Sequence, residues 1–325
     1  MSRARLLANL ALAATVAFTG QPVVSAKSLT GTEGGPEAKE VHVDVGCGKL
    51  DKANCAIIVP TLNAKTNQYG VTLQAADSEG SVASAQAICN GQVEAMVGQL
   101  DAIDQVRRSA NCASKIDVVV PAITPYEAYF VLRANAKYST LADMVKQTPT
   151  GKVLNIAAGK VGSGGRTTFD YILNAFPEYR QTINLVNYDE TTALSKLEEG
   201  TIDGYFVMDG PGSPLIEEIK KVIDPATKGP KFKFADLRIS DDLNKKVKAL
   251  NDIKMYSTVV LAPGFWSDIK TLSVPTAIAV SSKWRETPDN ARAVDVIKQA
   301  VVDARANLKS AVYPNTDWTP EAALK

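Results

Sequence analysis

The stretch VLNIAAGKVGSGGRTTFDYILNAF, residues 153–176, holds in one line the unit from which the chain is built. Val153 to Ala158 is a short apolar run, the pattern of a buried strand. Gly159 to Thr168 is rich in glycine and hydroxyls. Phe169, Ile172, Leu173 and Phe176 then recur at helical spacing, so one face of a helix is apolar. Strand, glycine-rich loop and helix make one β/α unit, and a succession of such units predicts a parallel sheet flanked by helices.

Outward from this stretch the rhythm repeats. Upstream, strands are predicted at Val41–Val45, Gly70–Ala76, Val93–Gly98 and Asp117–Ile123. Between them lie helical runs at Ala53–Leu62, which Pro60 is expected to end, at Ser81–Asn90, and at Asp101–Cys112. Tyr126–Arg133 reads as a further apolar strand, followed by a helix at Leu141–Gln147. Downstream, strands at Ile183–Tyr188 and Ile202–Met208 enclose a helix at Thr191–Glu199, stopped by Gly200. Ser213 and Pro214 supply the cap and first turn of another helix, with Lys220 and Lys221 suited to its far end. The chain then returns through strand-like Ser257–Leu261 and Pro275–Val280. A last helix after Thr287 buries Val294, Ile297, Val301 and Leu308. Two β/α lobes joined by two crossing segments imply a hinged clamshell. The boundaries expected are 41–130 for the first part of lobe 1, 131–239 for lobe 2, and 240–325 for a return segment with a C-terminal helix completing lobe 1. The hinge would then lie near Val131 and Arg238.

Residues 1–26 have the three-part layout of an export signal: Arg3 and Arg5, an apolar run from Leu6 to Phe18, and the small residues Val24-Ser25-Ala26. Cleavage there would leave a mature chain in the periplasm, opening on a polar, glycine-rich lead-in over residues 27–40. The 36 Lys+Arg balance 35 Asp+Glu, which gives no basic footprint for nucleic acid. Four cysteines, an even number in an exported chain, favour disulfides. Of three possible connectivities, nearest-neighbour pairing of Cys47 with Cys55 and Cys89 with Cys112 closes the shortest loops. A metal site is disfavoured, since there is no C-x-x-C and His42 is the only histidine. His42 lies in an alternating run and is expected to face outward from a strand.

The loop at Val161–Thr168 is the leading candidate for ligand contact. Glycines allow close backbone approach, free N–H groups at a helix N-terminus attract an anion, Ser163, Thr167 and Thr168 add hydroxyls, and Arg166 can grip a carboxylate. A plain β-to-α turn with a cap accounts for the same residues. Neither nucleotide signature fits: Gly165 stands where a phosphate loop needs Lys, and Thr167 where the dinucleotide pattern needs Gly. Gly80-Ser81 opens a second helix in the same way in the other lobe, where Ser81 could cap its own helix or donate to a ligand. No H-E-x-x-H or G-x-S-x-G occurs. A glycosidase pair of carboxylates stays open, with Trp266, Trp284 and Trp318 few for sugar stacking.

Four segments together resemble the TAXI-type solute-binding proteins of TRAP transporters. They are Gly80-Ser81-Val82; Pro125 to Arg133; Ser139 to Asp143 followed by Gly162 to Gly165; and Leu197 to Val207. The resemblance covers roughly Val41 to Pro314. It implies a two-lobe α/β clamshell of the type II periplasmic-binding-protein class, each lobe a mostly parallel sheet flanked by helices. It also implies a non-enzymatic receptor, a monomer without cofactor or metal, that captures a small anionic solute (a glutamate-like molecule or a dicarboxylate) for a TRAP-type permease. By matching position the ligand-binding candidates are Ser81, Tyr126, Ser163, Gly164, Gly165, Arg166, Thr167, Asp209 and Gly210. The chain departs from the family pattern at Gly46–Asp51 and at Ser84, so one wall of the cleft differs. A secreted hydrolase using the same cleft, or a signalling protein that has lost its ligand, are the rival readings.

Overall fold

The computed structural model describes residues 39–211, 213–247, 255–262 and 268–312. The predicted leader, nearly all of the lead-in, Trp266 and Trp318 lie outside them.

The first lobe opens with β1 (Val41–Gly46), a π turn at Asn54–Ile58, α1 (Val59–Thr66), β2 (Val71–Ala76) and α2 (Ser81–Cys89). It continues with β3 (Ala95–Gln99), α3 (Leu100–Arg107) and β4 (Ile116–Val120). The second lobe contains β5 (Pro125–Arg133), α4 (Leu141–Lys146), β6 (Leu154–Ala157), α5 (Gly164–Ala175) and α6 (Pro177–Thr182). Then come β7 (Ile183–Val186), α7 (Glu190–Glu199), β8 (Gly204–Asp209), α8 (Pro214–Lys221), β9 (Phe232–Ala235), α9 (Ser240–Lys246) and β10 (Ser257–Ala262). The 13-residue β11 (Ile269–Ser281) belongs to both lobes, and α10 (Pro288–Val312) packs back on the first.

In the first lobe the strands are ordered β2-β1-β3-β11-β4, with β11 antiparallel to its neighbours. In the second, β7-β6-β8 run parallel, β5 lies antiparallel to β8, and β5 pairs on its other side with β9 and with Ser273–Pro275 in the middle of β11. Most strands in each sheet therefore point one way. Such sheets need cover on both faces, and both have it. The π turn, α1 and α10 bury Ile58, Leu62, Ile297 and Val301 against one face of the first sheet, while α2 and α3 bury Ile88 and Ile103 against the other. In the second lobe Phe169, Ile172 and Leu173 of α5 cover one face, and Leu197 of α7 with Ile216 and Ile219 of α8 cover the opposite one. This is the α/β clamshell expected from the β/α rhythm.

The crossing lies where two backbones pair. Ile123 N–H donates to Thr276 O and Thr276 N–H donates to Thr124 O, each at 2.7 Å, and Pro125 stands opposite Pro275. Before Pro275, β11 belongs to the second sheet; after Thr276 it belongs to the first. The sheets thus exchange at Thr124–Pro125 and Pro275–Thr276, not at 130/131 and 239/240. All of β5 and β10 stays with the second lobe because their partners are there. Opposed prolines, which donate no N–H, suit the place where one ladder ends and another begins.

Other expectations shift for local reasons. Pro60 does not end a helix; it sits in the first turn of α1, where a missing N–H costs nothing. α3 stops at Arg107, short of Cys112. α6, β9 and α9 carry too few residues to show a period. His42 faces solvent from β1 as its alternation requires. Both nearest-neighbour disulfides, Cys47–Cys55 and Cys89–Cys112, are present. No described helix is long and apolar enough to cross a membrane.

Gly204 sets a tight constraint on the second core. A Cβ there would lie 2.7 Å from Cε2 of Phe130 and 3.1 Å from Cδ1 of Ile156, both wholly buried. Gly204→Ala should destabilise the protein by about 1–3 kcal/mol through overpacking, seen as a lower urea midpoint with an unchanged slope. A midpoint equal to wild type would show that the second core has slack there.

Candidate functional site

The two glycine-rich strand-to-helix turns meet. Gly80, at the N-cap of α2, has φ +126°, and a Cβ on it would lie 3.2 Å from Gly162 O and 3.4 Å from Ser163 Cα. Two loops from different lobes are therefore in contact through backbone, which only glycine at this φ permits. Gly48 closes the group from the disulfide loop: its N–H donates to Ser78 Oγ, and a Cβ on it would lie 3.9 Å from Gly80 Cα. The Ser78 and Ser84 hydroxyls are 2.7 Å apart. Ser84, one of the departures from the family pattern, thus ties the disulfide loop to α2.

The α2 N-terminus carries neither a side-chain cap nor an acidic residue in its first turn. Its leading N–H groups remain for an anion. Ser81 does not cap this helix. Its Oγ accepts from the Gln99 N–H at 3.3 Å, which leaves the hydroxyl proton to donate elsewhere. The α5 N-terminus faces the same seam but is capped, with Ser163 Oγ accepting from Arg166 N–H at 3.3 Å.

The remaining expected residues divide. Gly164 meets the first lobe directly, since a Cβ on it would lie 1.4 Å from Gln99 Oε1. Gly165 instead packs inside its own lobe, its Cβ position 3.2 Å from Ala158 O and 3.6 Å from Met208 N. Arg166 donates to Asp170 at 3.1 Å and to Asn187 at 2.7 Å, so its guanidinium is held within the second lobe. Thr167 is buried. Tyr126 and Asp209 come together through adjoining strands, with Glu127 opposite Asp209 in the ladder and Gly210 N–H donating to Asp209 Oδ1 at 2.7 Å.

Around Tyr126 and Asp209 gathers a charged group that the sequence motifs do not single out. Lys52 of the disulfide loop reaches across to Glu190 at the start of α7, at 3.0 Å. Partial burial works against the Lys52 charge, but the hydrogen bond and charge of Glu190, with Asp209 and Asp51 behind, leave its pKa raised. Burial raises the Asp209 pKa, against the hydrogen bonds of Ser213 and Gly210; Glu190 adds to the rise and Lys52 opposes it. Tyr126 is likewise pushed up, by burial first and then by Asp209 and Glu190. The Tyr205 hydroxyl, buried on the same strand as Asp209, has no hydrogen-bond partner among the described residues.

Deeper in the seam, Gln99 Nε2 donates to Thr168 Oγ1 at 3.4 Å, and the Thr168 hydroxyl donates to Asp101 Oδ2 at 2.6 Å. Gln99 and Asp101 sit at the β3-to-α3 junction, the same kind of strand-end position as Ser81 and Gly164. Topology could have found them; no motif does. Among the described residues no group of three or more His, Cys, Asp and Glu is placed to hold a metal ion.

The profile of the NMT1-like family matches residues 55–290. No curated protein sequence matches the chain significantly. Among solved structures, the chain is similar to a protein described as the periplasmic sulfonate-binding protein SsuA from Methylobacillus flagellatus KT, at 14% identity and a TM-score of 0.51, over 87% of this chain and 76% of that one. The AvGluR1 ligand-binding domain in complex with glutamate matches at 11% identity and a TM-score of 0.50, over 87% and 99%. The protein XAC2383 from Xanthomonas citri, bound to ATP, matches at 9% and 0.50, over 88% and 94%. At these identities the likeness is one of fold.

Gly164→Ala tests the seam. The group in its way is the end of a flexible side chain, so the variant should fold with a melting temperature within about 2 °C of wild type while Gln99 is displaced and the lobes part. Small-angle scattering should show a larger radius of gyration. An unchanged radius would mean that the seam does not hold the lobes together.

Proposed function

The chain belongs to the NMT1-like family, and from that membership and the seam we propose that it is an exported, non-enzymatic solute-binding receptor of the TAXI kind. It closes its lobes on a small carboxylate and hands it to a TRAP-type permease. The observation that carries this reading is the meeting of the α2 and α5 N-termini across the lobes, at the Gly80–Gly162 contact. A carboxylate near that contact would take the leading N–H groups of α2 and the proton of Ser81, and the helix dipoles favour its charge.

The charges around Asp209 refine the solute. Asp209 and Glu190 would repel a second carboxylate, with Lys52 against them. A solute with one carboxylate at the helix ends and a neutral or cationic group toward Asp209 fits better than a dicarboxylate. That favours the glutamate-like ligand. Lobe closure supplies the mechanism: binding energy stabilises the closed form, and the permease would recognise that form.

Calorimetric titration with L-glutamate and with succinate tests the reading, preceded by native mass spectrometry for a co-purified solute. Glutamate should bind more tightly than succinate, and the radius of gyration should fall on binding. Ser81→Ala should weaken glutamate binding about tenfold, the size of one lost hydrogen bond to a charged group. Absence of binding by either acid, with no retained small molecule, would sink the proposal.

A further inference from the structure

The most deeply buried acid in the seam is unused by solute capture. Asp101, in the first turn of α3, has no exposed surface. Its Oδ2 accepts from Thr168 of α5 at 2.6 Å and from the Tyr256 hydroxyl at 3.3 Å; its Oδ1 accepts from Ala102 N–H at 2.8 Å. Both side-chain partners belong to the second lobe, and the first lobe supplies backbone N–H groups, of Ala102 and of Asp101 itself. Beside it, Asp104 Oδ2 accepts from Tyr171 of α5 and from Arg108 Nε, each at 2.6 Å. The contact between α3 and α5 is thus a buried polar junction between lobes, centred on one carboxyl.

We propose that Asp101 is a proton-operated latch: taking up a proton when the lobes meet, it favours the closed clamshell as the pH falls. The geometry gives the reason. Once α5 and Tyr256 withdraw, the carboxyl lies on the surface of the first lobe, where water solvates its charge. On closure that water is replaced by two hydroxyls and backbone N–H groups, with no cation among the described residues in hydrogen-bond reach. A protonated carboxyl loses none of these contacts, because the Thr168 hydroxyl can accept as well as donate. Burial raises the Asp101 pKa to about 6, against the hydrogen bonds of Thr168, Ala102 and Tyr256.

The groups facing Asp101 are few. Tyr256 and Tyr171 approach from the second lobe, Asp104 and Arg107 follow on α3 itself, and Arg108 just past its end pairs with Asp104. Arg166 and Asp170 of α5 pair with each other. α2 and β3 contain no charged residue, and the only one on β11, Lys270, sits near its start beside Asp236.

The sign follows from linkage. A carboxyl whose pKa is raised in the closed form, relative to its ordinary value of 3.8, binds its proton more tightly there. Closure therefore gains as pH drops through about 6 and levels off below the ordinary value. Between pH 7 and pH 5 the closed-to-open ratio should rise about tenfold.

Small-angle scattering on the full chain without added solute, from pH 8 to pH 5, reads this ratio. Wild type should compact as pH falls, and Asp101→Asn should remain compact across the range. A wild-type radius independent of pH, or an Asp101→Asn variant that keeps the wild-type dependence, overturns the proposal. If Asp101→Asn does not fold, Tyr256→Phe leaves the carboxyl in place and removes one donor to its charge. The compaction midpoint should then move to higher pH, and an unmoved midpoint also overturns the latch. The proposal shares with the solute-binding reading the premise that the lobes open. No solute enters this experiment, so failure to bind glutamate leaves it standing.

Discussion

Two backbone hydrogen bonds, Ile123 to Thr276 and Thr276 to Thr124, are the constraint on which the molecule is organised. They bind the two crossing segments to each other where the sheets change partners. Because the chain passes between lobes on paired strands, a rotation there carries whole lobes and leaves each sheet intact. The same pairing fixes where the loops go. β3 and β8 end toward the seam, so the turns after them, with those after β2 and β6, deliver Gln99, Asp209, Gly80 and Gly162 to one place. Among the described residues the Thr124 and Thr276 hydroxyls, buried at the crossing, have no side-chain or backbone partner.

The lobes meet through polar groups, unlike their interiors. Within each lobe, helices bury Ile, Leu, Val and Phe against the sheets. Between lobes the contacts are Gln99 with Thr168, Asp101 with Thr168 and Tyr256, Asp104 with Tyr171, and Lys52 with Glu190. An apolar interface would expose hydrocarbon to water on every opening and lock the clamshell shut. Hydroxyls and amides can exchange protein partners for water at small net cost. That choice of residues suits the lobe closure proposed for this chain.

The β/α order was legible because each unit carries its own local signal. The apolar run before Gly159 gives β6, the 3–4 spacing of Phe169, Ile172, Leu173 and Phe176 gives α5, and Ser213-Pro214 caps α8. Nearest-neighbour disulfides followed from loop length alone. The crossing was misplaced because strand partnership is not local. Nothing in Tyr126–Arg133 itself says which sheet it joins, and Pro275 reads as a strand start when it lies in the middle of β11. The short β9 and α9 have the same problem in miniature. Their four and seven residues are ordered by packing against β5 and α5, not by a period of their own.

At the site the motifs found the backbone and missed the side chains. Gly80, Ser81, Ser163 and Gly164 belong to turns whose function is geometric, so glycine and serine in a strand-to-helix loop announce them. Arg166 was the obvious grip for an anion from its residue type alone, yet the neighbours that hold it, Asp170 one helical turn on and Asn187 after β7, were both in the sequence. An arginine with an acid at i+4 has a partner before any ligand arrives. Lys52, Glu190 and Asp101 carry the opposite lesson. Each is an ordinary surface residue by composition and acquires its role only when the second lobe closes over the first. A charge whose partner lies 138 positions away, as Glu190 does from Lys52, leaves no trace in local pattern. What brings the two charges together is the crossing pair that lets the two lobes meet.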